Sequence, residues 1–181
     1  MNVLISGGCK NGKTAFAQDI ARRLSREGKR YYVATMVPLD DEDRARIDRH
    51  IRDREGMGFE TLECSRDLAD CFSRAQKDAT FLVDSVTALL VHEMFPDTHA
   101  GQADPNAVNR CREGLLQIAN EAQNAVFVSD YLYSDAARYD DFTEQYRASL
   151  ASLDRVLAQV CDTVIELCAG NVIYHKGGTM L

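Results

Sequence analysis

Short apolar runs alternate along the chain with stretches in which apolar residues recur every three or four positions. Asn2 to Ser6 is the first run and predicts a strand. From Lys13 the spacing changes. Phe16, Ile20 and Leu24 recur every four residues with Gln18, Arg22, Arg23 and Arg26 between them, which predicts an amphipathic helix stopped by Gly28. Tyr31 to Thr35 reads as a second strand. Asp40 to Asp43 sets acidic residues where a helix begins, complementing its dipole; that helix should run to about Arg54, before Gly56 and Gly58. Phe59 to Glu63 predicts a strand, and Ser65 a cap for a helix carrying Leu68, Ala69 and Phe72. Thr80 to Val83 has the look of a buried strand ending at Asp84, and Thr87 to Phe95 of a helix.

Pro96 to Pro105 gathers Asp, Thr, Gly and Pro and is the clearest loop. Beyond it come a helix near Asn106 to Asn120, a strand at Ala125 to Val128 ending in Ser129-Asp130, and a long helix over Thr143 to Gln159. Val164 to Leu167 and Val172 to Tyr174 flank Ala169-Gly170-Asn171, a hairpin signal. The alternation predicts an α/β fold with a mainly parallel central sheet and flanking helices. No repeat or linker divides the 181 residues, so one domain over 1–181 is expected.

Charge narrows the function classes. A formal net charge of −7 opposes approach to a polyanion, so no nucleic-acid partner is expected, though local basic groups can still hold a small phosphate ligand. No run reaches the ~18 apolar residues of a membrane span, and Met1 leads straight into Asn-Val-Leu-Ile-Ser without a basic flank. A cytoplasmic protein is expected. Six cysteines, at 9, 64, 71, 111, 161 and 168, lack Cys-x-x-Cys spacing and read as small apolar residues in a reducing compartment rather than zinc ligands.

Candidate chemistry is densest at the N-terminus. Gly7-Gly8-Cys9-Lys10-Asn11-Gly12-Lys13-Thr14 follows an apolar strand and opens an amphipathic helix, the context of a phosphate-binding loop. Glycine leaves successive backbone N–H groups free to point inward, and the helix N-terminus adds donors and a favourable dipole. Lys13 supplies a point charge to the outer phosphates, and Thr14 a hydroxyl to Mg2+. A carboxylate at the end of another central strand should share the metal. Asp84 is preferred over Asp130 because its strand is more uniformly apolar.

A second informative stretch runs from Arg44 to Arg54. Arg46, His50 and Arg54 fall at i, i+4 and i+8 on one side of a helix, with Ile47 and Ile51 as an adjacent apolar stripe. Like charges so placed repel unless an anion sits among them. A neutral histidine can attack phosphorus while arginines hold the phosphoryl oxygens. The same residues also fit a solvated basic face with an incidental histidine.

Several segments in order resemble one family. They are the glycine loop, Tyr32-Val33-Ala34-Thr35, Arg46-Ile47-x-x-His50-x-x-x-Arg54, Leu62-Glu63-Cys64, Leu82 to Thr87, and Tyr146-Arg147 through Val164 to Leu167. Together they resemble the bifunctional adenosylcobinamide kinase / adenosylcobinamide-phosphate guanylyltransferases of cobalamin biosynthesis. The resemblance implies a RecA-like P-loop domain that phosphorylates the aminopropanol arm of cobinamide with a nucleoside triphosphate. It also implies transfer of GMP from GTP to that phosphate through a GMP–histidine intermediate. On matching positions, Gly7 to Thr14 would bind the triphosphate, and Ala34, Thr35 and Met36 would line the nucleotide site. His50 would carry GMP, and Ile51, Arg52, Asp53, Arg54, Glu63 and Asp84 would complete the GTP site. GTP or ATP, Mg2+ and a corrinoid are the implied ligands, and a homo-oligomer the implied assembly.

The chain departs from the family after Val128, where a Thr-Asn-Glu-Val-Gly segment is usual and Ser129-Asp130-Tyr131-Leu132-Tyr133-Ser134-Asp135 stands instead. That departure motivates two alternatives: a P-loop small-molecule kinase without guanylyltransferase activity, and a catalytically reduced GTP-binding regulatory protein. His92, His99 and His175 read as surface or packing residues. Tyr131, Tyr133 and Tyr139 suit either the rim of an acceptor pocket or packing at the sheet end.

Overall fold

The computed structural model describes residues 1–96 and 103–178. Its elements in chain order are β1 (Asn2–Gly7), α1 (Lys13–Ser25), β2 (Arg30–Ala34), α2 (Asp41–Asp53), β3 (Phe59–Glu63), α3 (Leu68–Ser73) and β4 (Thr80–Asp84). After these come α4 (Val86–Met94), α5 (Ala107–Glu121), β5 (Asn124–Asp130), α6 (Asp141–Val160), β6 (Thr163–Cys168) and β7 (Asn171–Lys176). The strands form one seven-stranded sheet in the order β3-β2-β4-β5-β1-β6-β7. All pairings are parallel except β6–β7, a hairpin turned by Ala169 and Gly170, both at positive φ.

The central strands are apolar throughout because helices cover both faces. On one face α1 sets Ala17, Ile20 and Ala21 against Val3, Ile5, Leu82, Val126, Val128 and Ile165. The other face carries Leu4, Phe81, Val83 and Phe127 under α3 to α6, with Leu89, Leu115, Ile118, Leu150 and Leu153. Each fully buried Leu or Phe contributes roughly 1.5–3 kcal/mol. Gly114 lets α5 approach α3 closely: a Cβ there would stand 2.8 Å from that of Leu68.

Local signals account for most boundaries. Asp40 caps α2 by accepting from the Asp43 amide, Ser85 caps α4 and Asp140 caps α6. Gly56 and Gly58 take positive φ and end the α2 turn as expected. Ser65 does not cap α3, contrary to expectation. That helix begins two residues later, behind Asp67 at φ 50°, because the Asp67 amide donates to buried Glu93 at 2.7 Å and fixes the entry there. The cysteine reading is also corrected. Cys64 and Cys71 form a disulfide joining the end of β3 to α3, Cys9 and Cys168 are exposed, and Cys111 and Cys161 are buried. Most of the expected Pro96–Pro105 loop, and His99 within it, lies outside the described residues. Among the described residues no helix is long and apolar enough to cross a membrane.

Because β1 to β6 run parallel, their C-terminal ends share one edge of the sheet. The glycine loop, Ala34, Glu63, Asp84 and Asp130 all fall on that edge, where open α/β sheets bind ligands.

Candidate nucleotide site

The loop from Gly7 to Thr14 joins β1 to α1. Gly7 is forced by close packing, since a Cβ would lie 2.6 Å from the Leu167 carbonyl oxygen. Gly12 sits at φ 79° as the residue before α1 and has no side-chain cap, so the first N–H groups of the helix remain for a ligand. Lys10 also takes positive φ, and Cys9 and Lys10 are exposed on the loop tip. Asn11 ties the loop to β6 by donating to Leu167 O at 3.3 Å. Lys13 is 6% exposed, and its ammonium donates to Gly8 O and lies 2.6 Å from Asp130 Oδ1. Thr14 is half-buried in the first turn of α1.

Among the described residues, Asp130 is the strand-end carboxylate that reaches the loop. It stands opposite Gly7 in the β1–β5 register, and its amide is held by Thr87 Oγ1 at 2.9 Å. Asp84 lies further along the edge, with β5 between its strand and β1, and accepts from the Tyr32 hydroxyl at 2.7 Å. The peptide bond after it is cis. Thr35, fully buried, pins this turn: its Oγ1 donates to Ser85 O at 2.8 Å and accepts from the Ser85 amide at 2.7 Å. Ala34 ends β2 between Asp84 and Glu63, its register partners on either side, and half-buried Met36 follows Thr35.

The second group of site residues belongs to α2. Asp43, Arg46, Ile47, His50 and Arg54 are its less exposed positions, so Arg46, His50 and Arg54 do share one side. Ile51 does not extend the Ile47 stripe: it is 48% exposed, because the helix has no buried residue and rests on the body only along that side. Arg52, Asp53 and Glu63 are exposed. Arg54 closes α2, places its guanidinium 4.2 Å from the Tyr32 ring centroid, and donates to Thr61 Oγ1 at 3.0 Å. Burial, then the Asp84 charge and the hydrogen bond to it, hold the Tyr32 phenol far above its ordinary range, so it stays a donor. Arg54, Tyr32 and Asp84 form a continuous contact chain from α2 to the sheet edge.

The loop and the α2 group are not in direct contact. Three strand spacings, roughly 14 Å, separate β1 from β2. Tyr32 is absent from the site residues expected from sequence; a hydroxyl in the middle of an otherwise apolar run was its only signal. Asp130 stands second among the expected carboxylates, although it is the one on Lys13.

The segment after β5 is fixed by Arg147, which is 7% exposed. It donates to Leu132 O, Asp135 O, Asp135 Oδ1, Ala137 O and Glu144 Oε1. Of the three tyrosines there, Tyr133 donates to Asp154 Oδ2 at 2.8 Å, Tyr139 lies under Arg147, and Tyr131 faces a groove beside the loop. His92 accepts from the Val37 amide at 3.2 Å, and His175 meets Glu166 at 2.8 Å.

A glycine loop with its buried lysine, between a parallel β1 and α1 and beside strand-end carboxylates, defines a P-loop nucleotide-binding protein of RecA-like architecture. Three solved structures share this fold. They are an ATPase from a type III secretion system of pathogenic bacteria (TM-score 0.57, 12% identity, 93% of this chain and 51% of that one), the flagellar accessory protein FlaH from Methanocaldococcus jannaschii (0.52, 14%, 98% and 78%), and a KaiC-like protein from the hyperthermophilic archaeon Pyrococcus horikoshii (0.52, 13%, 97% and 78%). Residues 3–174 match the model of the cobinamide kinase / cobinamide phosphate guanyltransferase family, CobU, and the chain belongs to that family. The bifunctional adenosylcobalamin biosynthesis protein CobU of Salmonella typhimurium is 28% identical over 124 residues. That alignment spans 65% of each chain.

Proposed function

We propose that the protein phosphorylates adenosylcobinamide with a nucleoside triphosphate and then transfers GMP from GTP to the product through a GMP–His50 intermediate. The observation that carries this reading is the pairing of a P-loop lysine with a histidine–arginine helix side, linked through Tyr32 to the Asp84 carboxylate. Gly7 to Thr14 hold the triphosphate, with backbone donors on the phosphates and Lys13 on their outer charge. With buried Thr35 holding the turn behind them, Ala34 and Met36 line the path toward α2. There Ile51 to Arg54 and Glu63 surround the nucleoside, and His50 faces the α-phosphate.

His50 attacks phosphorus, pyrophosphate leaves, and the cobinamide phosphate oxygen then displaces the imidazole, a good nucleophile and a good leaving group. Arg46 and Arg54 hold the phosphoryl oxygens during both displacements. Thr14 and Asp84 offer hard oxygen donors that suit Mg2+, an ion that keeps phosphate oxygens and waters as its other ligands. When bound, that ion offsets charge on the triphosphate and on departing pyrophosphate. On this reading the protein works in the cytoplasm, on small molecules. The exposed Val37 and Leu39 ahead of α2 support a homo-oligomer that covers them.

Labelled GTP tests the reading. Cobinamide should acquire the γ label first and the α label second, and Lys13→Ala should lose both. Transfer of the γ label without the α label would reduce the protein to a kinase, and transfer of neither would contradict the proposal.

A further inference from the structure

An open groove of about 510 Å³ borders the phosphate loop on the β6 side, away from α2. Ser6, Tyr131, Tyr133, Val164, Glu166 and His175 line it. Ser6 and Glu166 are partners in the β1–β6 register, one residue before Gly7. Ser6 lies on the strand face of Leu4, which packs under α4 to α6, so the groove lies on the opposite face from α1. Tyr131 spans from the loop to the groove. Partial burial and its hydrogen bond to the Glu166 carboxylate hold its phenol above the ordinary range, while the Gly8 backbone pulls the other way. The Gly8 carbonyl in turn accepts from Lys13.

The hairpin is irregular where it meets this groove. Ile165 pairs with Tyr174 and Val164 with Lys176, leaving His175 as the extra residue of a bulge. Bulges re-aim a side chain, and here the imidazole lands 2.8 Å from Glu166 Oε2. Glu166 is 27% exposed and His175 53%, so the pair is accessible.

We propose that this groove takes the hydroxyl-bearing arm of the phosphate acceptor, and that Glu166 is the base that receives the hydroxyl proton. The inference rests on the reading above. If His50 addresses the α-phosphate and the loop holds the outer phosphates, the triphosphate runs from α2 toward β1, and its terminal phosphate points on toward β6. The acceptor oxygen bonds to the γ-phosphorus, the bond from that phosphorus to the β–γ bridging oxygen breaks, and nucleoside diphosphate leaves. The proton passes to the Glu166 carboxylate. Of the other carboxylates at this edge, Asp130 is held by Lys13 and Asp84 by Tyr32, and Glu63 ends β3 at the far side of the sheet from β6. His175 is a positioning residue: it orients Glu166 and offers its proton a route to solvent.

Glu166→Gln tests this directly, with cobinamide phosphorylation and the GMP adduct followed on the same preparations. The expected result is a loss in phosphorylation kcat of about 10²-fold or more. The acid limb of the kcat–pH profile should disappear, Glu166→Asp should restore part of the rate, and the yield of GMP adduct should match wild type. His175→Asn, at an exposed position, should lower kcat less and displace the acid limb. Wild-type phosphorylation rates in Glu166→Gln would overturn the groove assignment and leave the nucleotide site standing. A wild-type protein that phosphorylates no cobinamide would overturn the functional reading, and the groove assignment with it.

Discussion

The Lys13 ammonium lies 2.6 Å from Asp130 Oδ1, so the lysine that should meet phosphate is held by a carboxylate of the neighbouring strand. With Lys13 6% exposed, its charge depends on that partner until a phosphate replaces it. Asp130→Asn leaves the ammonium without a counterion in the nucleotide-free protein. The variant should melt several degrees below wild type without nucleotide, and recover most of the difference in saturating GTP. Thermal melts with and without nucleotide check this; an equal deficit in both would show that Asp130 does not exchange with phosphate.

Tyr32 couples Arg54 to Asp84, with the ring under the guanidinium and the hydroxyl on the carboxylate. Tyr32→Phe keeps the ring and deletes one hydrogen bond to a charged group, about 1.5–3 kcal/mol in typical cases. Turnover should fall roughly tenfold or more if the bond aims Asp84, and the magnesium concentration for half-maximal rate should rise. Tyr32→Leu should fall further because it also removes the cation–π contact. Unchanged rates and magnesium dependence in Tyr32→Phe would make the contact purely structural.

Glu93 is 1% exposed and accepts from the Asp67 amide at 2.7 Å and from Arg110 Nε at 2.9 Å. The Arg110 guanidinium, hydrogen-bonded first to Asp104 and also to Glu93, is held above its ordinary range. Removing one partner of a buried pair typically costs about 3–5 kcal/mol, and Glu93→Ala should show the lower part of that range because Arg110 keeps Asp104. Chemical denaturation measures it. Nucleotide binding by the folded fraction should be unchanged, since Glu93 serves the α3 entry rather than the sheet edge.

Asp154 is 5% exposed beneath the segment after β5. Burial raises its carboxyl pKa, and the Asp130 charge adds to this, while the Tyr133 hydrogen bond opposes it. A raised folded-state pKa means that the unfolded chain releases this proton first. The contribution to stability is full below the ordinary carboxylate range, near pH 4, and is lost as pH rises through the raised value. Asp154→Asn keeps an acceptor for Tyr133 and carries no charge. It should melt a few degrees above wild type at neutral pH, with the gain vanishing below about pH 4. A gain independent of pH would contradict the assignment.

Much of the fold was legible in the sequence, because local chemistry and burial agree there. The four-residue spacing of Phe16, Ile20 and Leu24, the carboxylates before α2, and the uniformly apolar Thr80–Val83 run each lead to the element observed. The α3 start was not legible from Ser65, because a tertiary bond from Asp67 to Glu93 sets it. The Cys64–Cys71 disulfide was equally hidden, since seven-residue spacing becomes proximity only when β3 is followed by the turn into α3.

At the site, the loop was readable as a motif, and Arg46, His50 and Arg54 by helical spacing. Contacts made across strands were not. Lys13 meets Asp130 rather than Asp84 because β5, and not β4, neighbours β1, and strand order is not written in local pattern. The Glu166–His175 pair arises from a bulge in a hairpin, which periodicity does not reveal.

Guanylyl transfer turns on His50. Intact mass of the protein after incubation with GTP and magnesium, alongside His50→Ala, tests it most directly. One added GMP is expected on wild type, labile in acid, and none on the variant, which still phosphorylates cobinamide. An adduct of equal yield on His50→Ala, or no adduct on a wild type that binds GTP, would contradict it.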